Sequence, residues 1–432
     1  MRPILILLAL IGTGLHFAYS GVYSPLTNYS WAQLSQEQLP PLISFVNGHP
    51  IESIDRRQYG AVLFFVVHPI LALTRGDLRV VELVLLAIGH LCVAASFVIL
   101  WRSLFAGLAT GALVLLVVWY NFEPIYGILA TKNVELWELL LLTISFVAYV
   151  SPARRSAIAG AAAGLASMVK LLPLVVVGFF LLRDRRAFVA AIAAIGVILV
   201  VAQILYGDLM GFGYFPQIAQ RSTATTENIF GWWENNAISG VVHKLLAGFR
   251  LEAYFVVLPP DLVGVARVLA WGLSGVFLGG LAWIALRGRR SSSVEIRAVE
   301  FSLVLVVMLF VSPNTHQDYM VLALPAYATG SWLRARSWPD AWPLWATATL
   351  VASVVLVGEI LPTRLFVSLI PGLPRLAEVT GLDVGAAYLY YLFPALGLAL
   401  LLATLMWTYR AGTRFERERV APLEVSRSRA LR

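Results

Sequence analysis

Apolar runs near the length needed to cross a bilayer recur along the whole 432-residue chain, and the polar breaks between them are short and carry arginine. A segment in hydrocarbon has no water to satisfy its backbone, so a chain built this way can only be a bundle of helices. The runs read as 3–19, 78–101, 104–120, 134–150, 156–169, 171–182, 187–206, 262–286, 296–312, 319–333, 342–361 and 385–409. The expected fold is an all-α, polytopic membrane bundle of about twelve transmembrane helices, with outer loops and juxtamembrane helices. Composition agrees: 59% of residues are hydrophobic and 13% charged, with a mean hydropathy of +0.80, far from the balance of a soluble domain. The first run ends in Ala18-Tyr19-Ser20, which also suits a signal-peptide cleavage region; an uncleaved first helix is the expectation.

The formal net charge of +8 raises the question of nucleic acid. The arginines answer it, because they bunch in short loops between spans, as topology signals do. Arg2, Arg102, Arg154/Arg155, Arg183/Arg185/Arg186, Arg287/Arg289/Arg290/Arg297, Arg334/Arg336 and the tail after Tyr409 hold most of the 32 Lys and Arg residues. They fall on one side of the membrane only if the apolar stretch 60–73, short and interrupted by His68-Pro69, does not cross. That side is the cytoplasm, and no nucleic-acid partner is expected. The membrane domain then covers residues 1–409, followed by a basic cytoplasmic tail at 410–432. Its outer loops lie near 20–79, 121–133, 207–261, 313–318 and 362–384. The single cysteine, Cys92, rules out an internal disulfide and a cysteine metal site. Gly107/Gly111 and Gly160/Gly164 have the spacing that lets helices approach closely.

Polar residues able to do chemistry collect in the outer loops. Glu37, Glu52 and Asp55 of the first loop are carboxylates that could take a proton from an acceptor hydroxyl, although Asp55 could equally pair with Arg56 or Arg57 on a wet loop. Lys170 stands at the outer junction of two short spans. A lysine there needs an anionic partner, water or a route to the headgroups. Asn121, Glu123, Lys132, Asn133 and Glu135 mark the mouth of two other spans. In the large loop, Trp232-Trp233 stand beside Asn235-Asn236, a set suited to a sugar's CH faces and hydroxyls and equally to an interfacial aromatic belt. His316 and Asp318 sit in a tight turn, Ser312 to Tyr319; they are too few to make a metal site, and none is expected.

Four landmarks in a fixed order carry a family resemblance. They are Gly48-His49-Pro50-Ile51 followed by Gln58-Tyr59-Gly60 and a short apolar helix; the Asn133 turn; Met168-Val169-Lys170-Leu171-Leu172-Pro173 with an arginine cluster after it; and Asn235-Asn236-Ala237-Ile238-Ser239 with the Ser312-to-His316 turn. In these the chain resembles the GT-C class of membrane glycosyltransferases, and most closely glycosyltransferase family 87, the polyprenyl-phosphate-mannose-dependent mannosyltransferases. The resemblance implies transfer of a hexose, mannose in the family, from a polyprenyl-phosphate donor to a lipid or glycan acceptor on the extracytoplasmic face, with no cofactor. Donor, acceptor and membrane lipids are the expected partners.

The family places a catalytic aspartate early in the first outer loop, where this chain has Ser35-Gln36-Glu37. The role of base therefore passes to Glu37, belongs to Asp55, or is lost. Lys170, His316, Arg56, Arg57 and Arg221 are the candidates to hold the donor phosphate. Trp232, Trp233, Asn235, Asn236, Tyr59 and Asn133 are the candidates for sugar or acceptor. Two rival functions use the same outer cavity: a transporter or flippase of a lipid-linked sugar, and a non-catalytic protein of the GT-C type in an envelope assembly.

Overall fold

The structure, a computed structural model, describes residues 2–27, 60–217, 230–249, 251–252, 255–288, 293–339, 342–359, 387 and 392–430. Fifteen helices account for most of these: α1 Arg2–His16, α2 Ala61–Leu73, α3 Leu78–Leu104, α4 Ala109–Trp119, α5 Glu123–Thr131, α6 Glu135–Val150, α7 Ser156–Ser167, α8 Leu174–Arg183, α9 Arg185–Tyr206, α10 Ile238–Leu246, α11 Pro260–Gly288, α12 Val294–Val311, α13 Leu324–Ala335, α14 Leu344–Gly358 and α15 Phe393–Ala430. The first helix continues beyond His16 through a π-helical stretch, Phe17–Tyr23, and a last turn, Ser24–Thr27. A small antiparallel hairpin pairs Leu251–Glu252 (β1) with Phe255–Val256 (β2).

Among the described residues, five helices are long and apolar enough to cross a membrane, and a sixth crossing is available if the bent pair α4–α5 counts as one. Shorter apolar helices, α2, α7, α8 and α14 among them, pack between these. Exposed Val189, Val197 and Ile204 on α9, and Val268, Trp271 and Val276 on α11, would be costly in water and belong against lipid. By contrast, every residue of α12 from Ile296 to Phe310 is buried. A helix buried on all sides lies at the centre of a bundle, and α12 indeed packs against α6, α8, α11, α13 and α15.

Local signals set the helix ends. Asp77 caps α3 by accepting from Arg79 N at 3.0 Å, Asp184 caps α9 from Arg186 N at 3.1 Å, and Ser293 caps α12 from Ile296 N at 3.1 Å; each such cap is worth about 1 kcal/mol. The stretch expected as a loop from Asn121 is largely helical: Pro124 opens α5, and Lys132 closes it in the left-handed conformation (φ 54°). Residues beyond Tyr409 continue α15 without a break as far as Ala430.

The glycine pair of α7 behaves as expected. A β-carbon on Gly160 or Gly164 would run into the carbonyl of Ala187 or Ala191 on α9, so the two backbones touch.

The arginine-bearing helix ends meet at one end of the bundle. Arg183 Nε donates to Glu300 at 2.9 Å, Arg297 donates to the Val150 carbonyl at 2.9 Å, and Arg336 reaches Glu295 at 3.0 Å. Buried Tyr149 adds its hydroxyl to Glu300 at 3.1 Å, so one carboxylate oxygen gathers Arg183 and Tyr149 and ties α6, α8 and α12 together at this end.

Candidate functional site

The other end of the bundle gathers the sequence landmarks. Gly60 N donates to the Val169 carbonyl at 2.8 Å, which brings the start of α2 onto the turn between α7 and α8. A β-carbon on Gly60 would overlap the Met168 carbonyl, so only glycine permits this approach. Two landmarks more than a hundred residues apart are thereby joined.

Lys170 occupies that turn and is 4% exposed. Its ammonium pairs with Glu135 at the start of α6, donates to Tyr319 Oη at 3.2 Å, and stands 4.7 Å from the centroid of the Tyr319 ring. The counter-charge expected from a donor phosphate is thus already present in the protein. Glu135 sits in the first turn of α6, where the helix dipole favours an anion. Glu138, one turn on, is completely buried, and neither carboxylate oxygen has a hydrogen-bond partner among the described residues.

His316 approaches the same tyrosine. Its ring packs edge-on against Tyr319 with centroids 4.7 Å apart, and its Nδ1 lies 3.9 Å from Asp318 Oδ2. Unlike Lys170, its side chain keeps 22% of its surface exposed. Both described candidates for the phosphate therefore meet at Tyr319. Gln317 Nε2 donates to Glu359 at 2.8 Å, which ties the end of α14 to this turn as well.

Asn235 joins the large loop to the Ser312–Tyr319 turn. Its Oδ1 accepts from Ala237 N at 2.9 Å and Thr315 N at 3.0 Å; its Nδ2 donates to the Pro313 carbonyl at 3.0 Å and to Ser239 Oγ at 3.2 Å. Asn236 N adds a bond to the Thr315 carbonyl at 2.7 Å. Asn235 is fully buried and its amide is occupied on both sides, so in this conformation it offers nothing to a sugar. Asn236 is buried too: its Nδ2 donates to the Glu234 carbonyl at 2.7 Å, while its Oδ1 has no partner among the described residues.

Trp232 and Trp233 are half-buried, and Trp232 packs edge-on against Phe255 of the hairpin, 5.4 Å between centroids. Asn133 is buried and accepts from Val134 N at 2.9 Å. Glu37, Asp55, Arg56, Arg57, Tyr59 and Arg221 lie outside the described residues. Among the described residues, no group of three or more His, Cys, Asp or Glu is placed to hold a metal.

These joined landmarks are the ones on which the resemblance rests, and comparison with family profiles decides the matter. The profile of glycosyltransferase family 87 matches residues 59–313, more than half of the chain. The chain belongs to glycosyltransferase family 87. No curated protein and no solved structure matches it. The matched segment runs from the Gly60 junction to the Pro313 carbonyl that receives Asn235, so it takes in Lys170, Glu135 and both asparagines.

Three features of this family 87 protein escape a reading of sequence. Glu138 was hidden in an apolar run, although a carboxylate within such a run is itself the signal. Tyr319 reads as an ordinary aromatic at the start of a span, and only the fold shows it between Lys170 and His316. A third concerns α10: Lys244 is fully buried there, and burial, opposed in part by Glu234, pulls its ammonium down to about 7. The unfolded chain then binds more protons than the folded one between about 7 and the ordinary lysine value, so stability rises with pH across that window. Lys244→Met should raise the unfolding temperature near neutral pH, with the gap to the parent closing in alkaline buffer. Thermal scans across pH check this; a gap that does not change with pH refutes it.

Proposed function

We propose that this family 87 protein transfers a hexose, mannose as the family resemblance implies, from a polyprenyl-phosphate donor to a lipid or glycan acceptor at the extracytoplasmic face of the cell membrane. The observation that carries the proposal is the convergence of Gly60, Lys170, Asn235 and His316 at the end of the bundle opposite the arginines. Under the positive-inside rule the arginine end is cytoplasmic, which puts the convergent end outside. The proposed architecture keeps about twelve crossings, with the shorter helices α7, α8 and α14 counted as spans and α2 as a juxtamembrane helix that does not cross. Residues 1–409 form the catalytic membrane domain.

In this reading a carboxylate of the first outer loop, Asp55 or Glu37, takes the proton of the acceptor hydroxyl. The oxygen attacks the anomeric carbon, and the bond to the phosphate oxygen breaks with its electron pair, releasing polyprenyl phosphate and inverting the sugar. Charge grows on the bridging oxygen, and preorganised donors stabilise it most where water is excluded. His316 is the accessible donor, Lys170 acts beside it across Tyr319, and Arg56, Arg57 and Arg221 complete the candidate set. Trp232, Trp233, Asn236, Tyr59 and Asn133 remain candidates for sugar or acceptor, while Asn235 moves to a positioning role. The first loop enters the fold at Gly60, beside Lys170, which favours Asp55 as the base.

Asp55→Asn should lower transfer by about a hundredfold or more while donor binding persists, as loss of a general base does; Glu37→Gln should act less. Radiolabelled polyprenyl-phosphate mannose with membrane lipid extract measures both steps. Full transfer in both variants would overturn the assigned chemistry. The transporter reading draws on the buried charges of α6, but the Arg183–Glu300–Tyr149 contacts bind α8, α12 and α6 together at the arginine end, which weighs against a through-route.

A further inference from the structure

The arginine end carries a feature that transfer chemistry does not use. Between the end of α11 and the middle of α15 lies a cleft of about 490 Å³ lined by Trp283, Arg287, Tyr409, Arg410, Arg414 and Glu418, together with Thr413. It lies at the opposite end of the bundle from Lys170 and His316. The guanidinium of Arg287 stacks over the Trp283 ring at 4.9 Å, an arrangement that fixes the charge in place. Arg414 Nε donates to Glu418 at 2.8 Å, leaving the lining with three guanidiniums against one carboxylate. Trp283 and Leu286 remain about half exposed, at 51% and 49%, on a helix whose outer surface belongs against lipid. A tryptophan so placed marks the depth of the headgroups.

We propose that this cleft binds the phosphate of an anionic glycerophospholipid, with the acyl chains lying along α11. The volume suits a headgroup. Guanidiniums favour phosphate because their planar N–H forks match its oxygens, and a pocket of basic residues between spans at the cytoplasmic surface is a lipid site of this kind. A free phosphate shares the anionic contacts but gains nothing from Trp283 and the exposed aliphatic face. The lipid bridges α11 and α15, which line the cleft from two sides, and so clamps the cytoplasmic end.

The test uses the intact, purified chain in zwitterionic detergent, with native mass spectrometry reading retained lipid and thermal unfolding reading stabilisation. Phosphatidylglycerol should be retained in preference to phosphatidylcholine and should raise the unfolding temperature. Arg287→Gln with Arg410→Gln should weaken retention about 30-fold, the equivalent of about 2 kcal/mol for two arginines at a membrane surface. Arg102→Gln, in another arginine loop, should leave retention unchanged. Glu418→Gln should strengthen it, which keeps the test decisive if the double variant folds poorly. Equal retention of both lipids, or loss of retention in Arg102→Gln as great as in the double variant, overturns the site. Displacement of the lipid by inorganic phosphate alone would reassign the cleft to a free anion, and preference for polyprenyl phosphate over phosphatidylglycerol would reassign it to the donor carrier; either result refutes the proposal.

Discussion

Lys170→Met should destabilise the protein by about 3–5 kcal/mol, the usual cost of breaking a buried ion pair from one side, whereas Lys170→Met combined with Glu135→Leu should recover most of that loss. The reason is the environment of the pair. Lys170 is buried in the α7–α8 turn, Glu135 is buried at the start of α6, and Glu138 stands within electrostatic reach of both. Removing the ammonium alone leaves two buried carboxylates without the one cation that acts on them among the described residues. Removing one carboxylate with it leaves a single acid, which can be carried neutral at far lower cost. Thermal unfolding in detergent of the two single variants and the double gives the coupling directly. Losses that simply add would mean that the pair is not a unit.

The same cycle decides what Lys170 does for a ligand. A lysine whose charge is unmatched would need an anion, and a donor phosphate is one such anion. With Glu135 in contact the need disappears, and the single Lys170→Met variant confounds lost binding with lost stability. The double variant separates them. Donor binding retained in the double variant would assign Lys170 to the scaffold and leave the phosphate to His316 and the outer arginines. Binding lost from a folded double variant would assign the cation to the phosphate.

Much of this architecture is legible in the sequence because bilayer physics acts on single segments. A run such as 187–206 has to be a helix wherever it packs, and its structure, Arg185–Tyr206, differs only at the capped end. The helix beyond the run 104–120 is not legible. The run and its helix end together near Trp119, yet the stretch read as a loop forms Glu123–Thr131, set off at an angle of 47°. His16 accounts for part of this, because its Nε2 lies 3.3 Å from Glu123 and draws the new helix onto α1. That pairing joins residues more than a hundred positions apart, and no local pattern contains it. The site shows the same division. Lys170 stands out as a charge where lipid forbids one, but its partners, Glu135 and Tyr319, come from two other helices. Asn235 reads as a ligand because carboxamides beside tryptophans bind sugars; only the fold shows both ends of its amide already bonded to backbone.

That last difference yields the second large effect. Asn235→Ala should reduce transfer by about a hundredfold, the scale on which an ångström of misplacement costs catalysis, chiefly through kcat. The substitution strips the acceptor from Ala237 N and Thr315 N and the donor from the Pro313 carbonyl, all in a buried setting. Each orphaned group costs about 1–3 kcal/mol, so the Ser312–Tyr319 turn relaxes and carries His316 away from Tyr319. Asn235→Asp keeps the carboxyl oxygen that accepts from Thr315 N and should restore part of the rate. Asn236→Ala leaves the backbone bond to Thr315 intact and should cost much less. A sugar ligand at Asn235 predicts a different pattern: KM rises with little change in kcat, Asn236→Ala is as damaging as Asn235→Ala, and aspartate rescues nothing. Steady-state kinetics on the three variants, with unfolding temperatures recorded alongside, distinguish a clasp from a ligand. An Asn235→Ala protein with unaltered kcat would show that the turn holds its place without the asparagine.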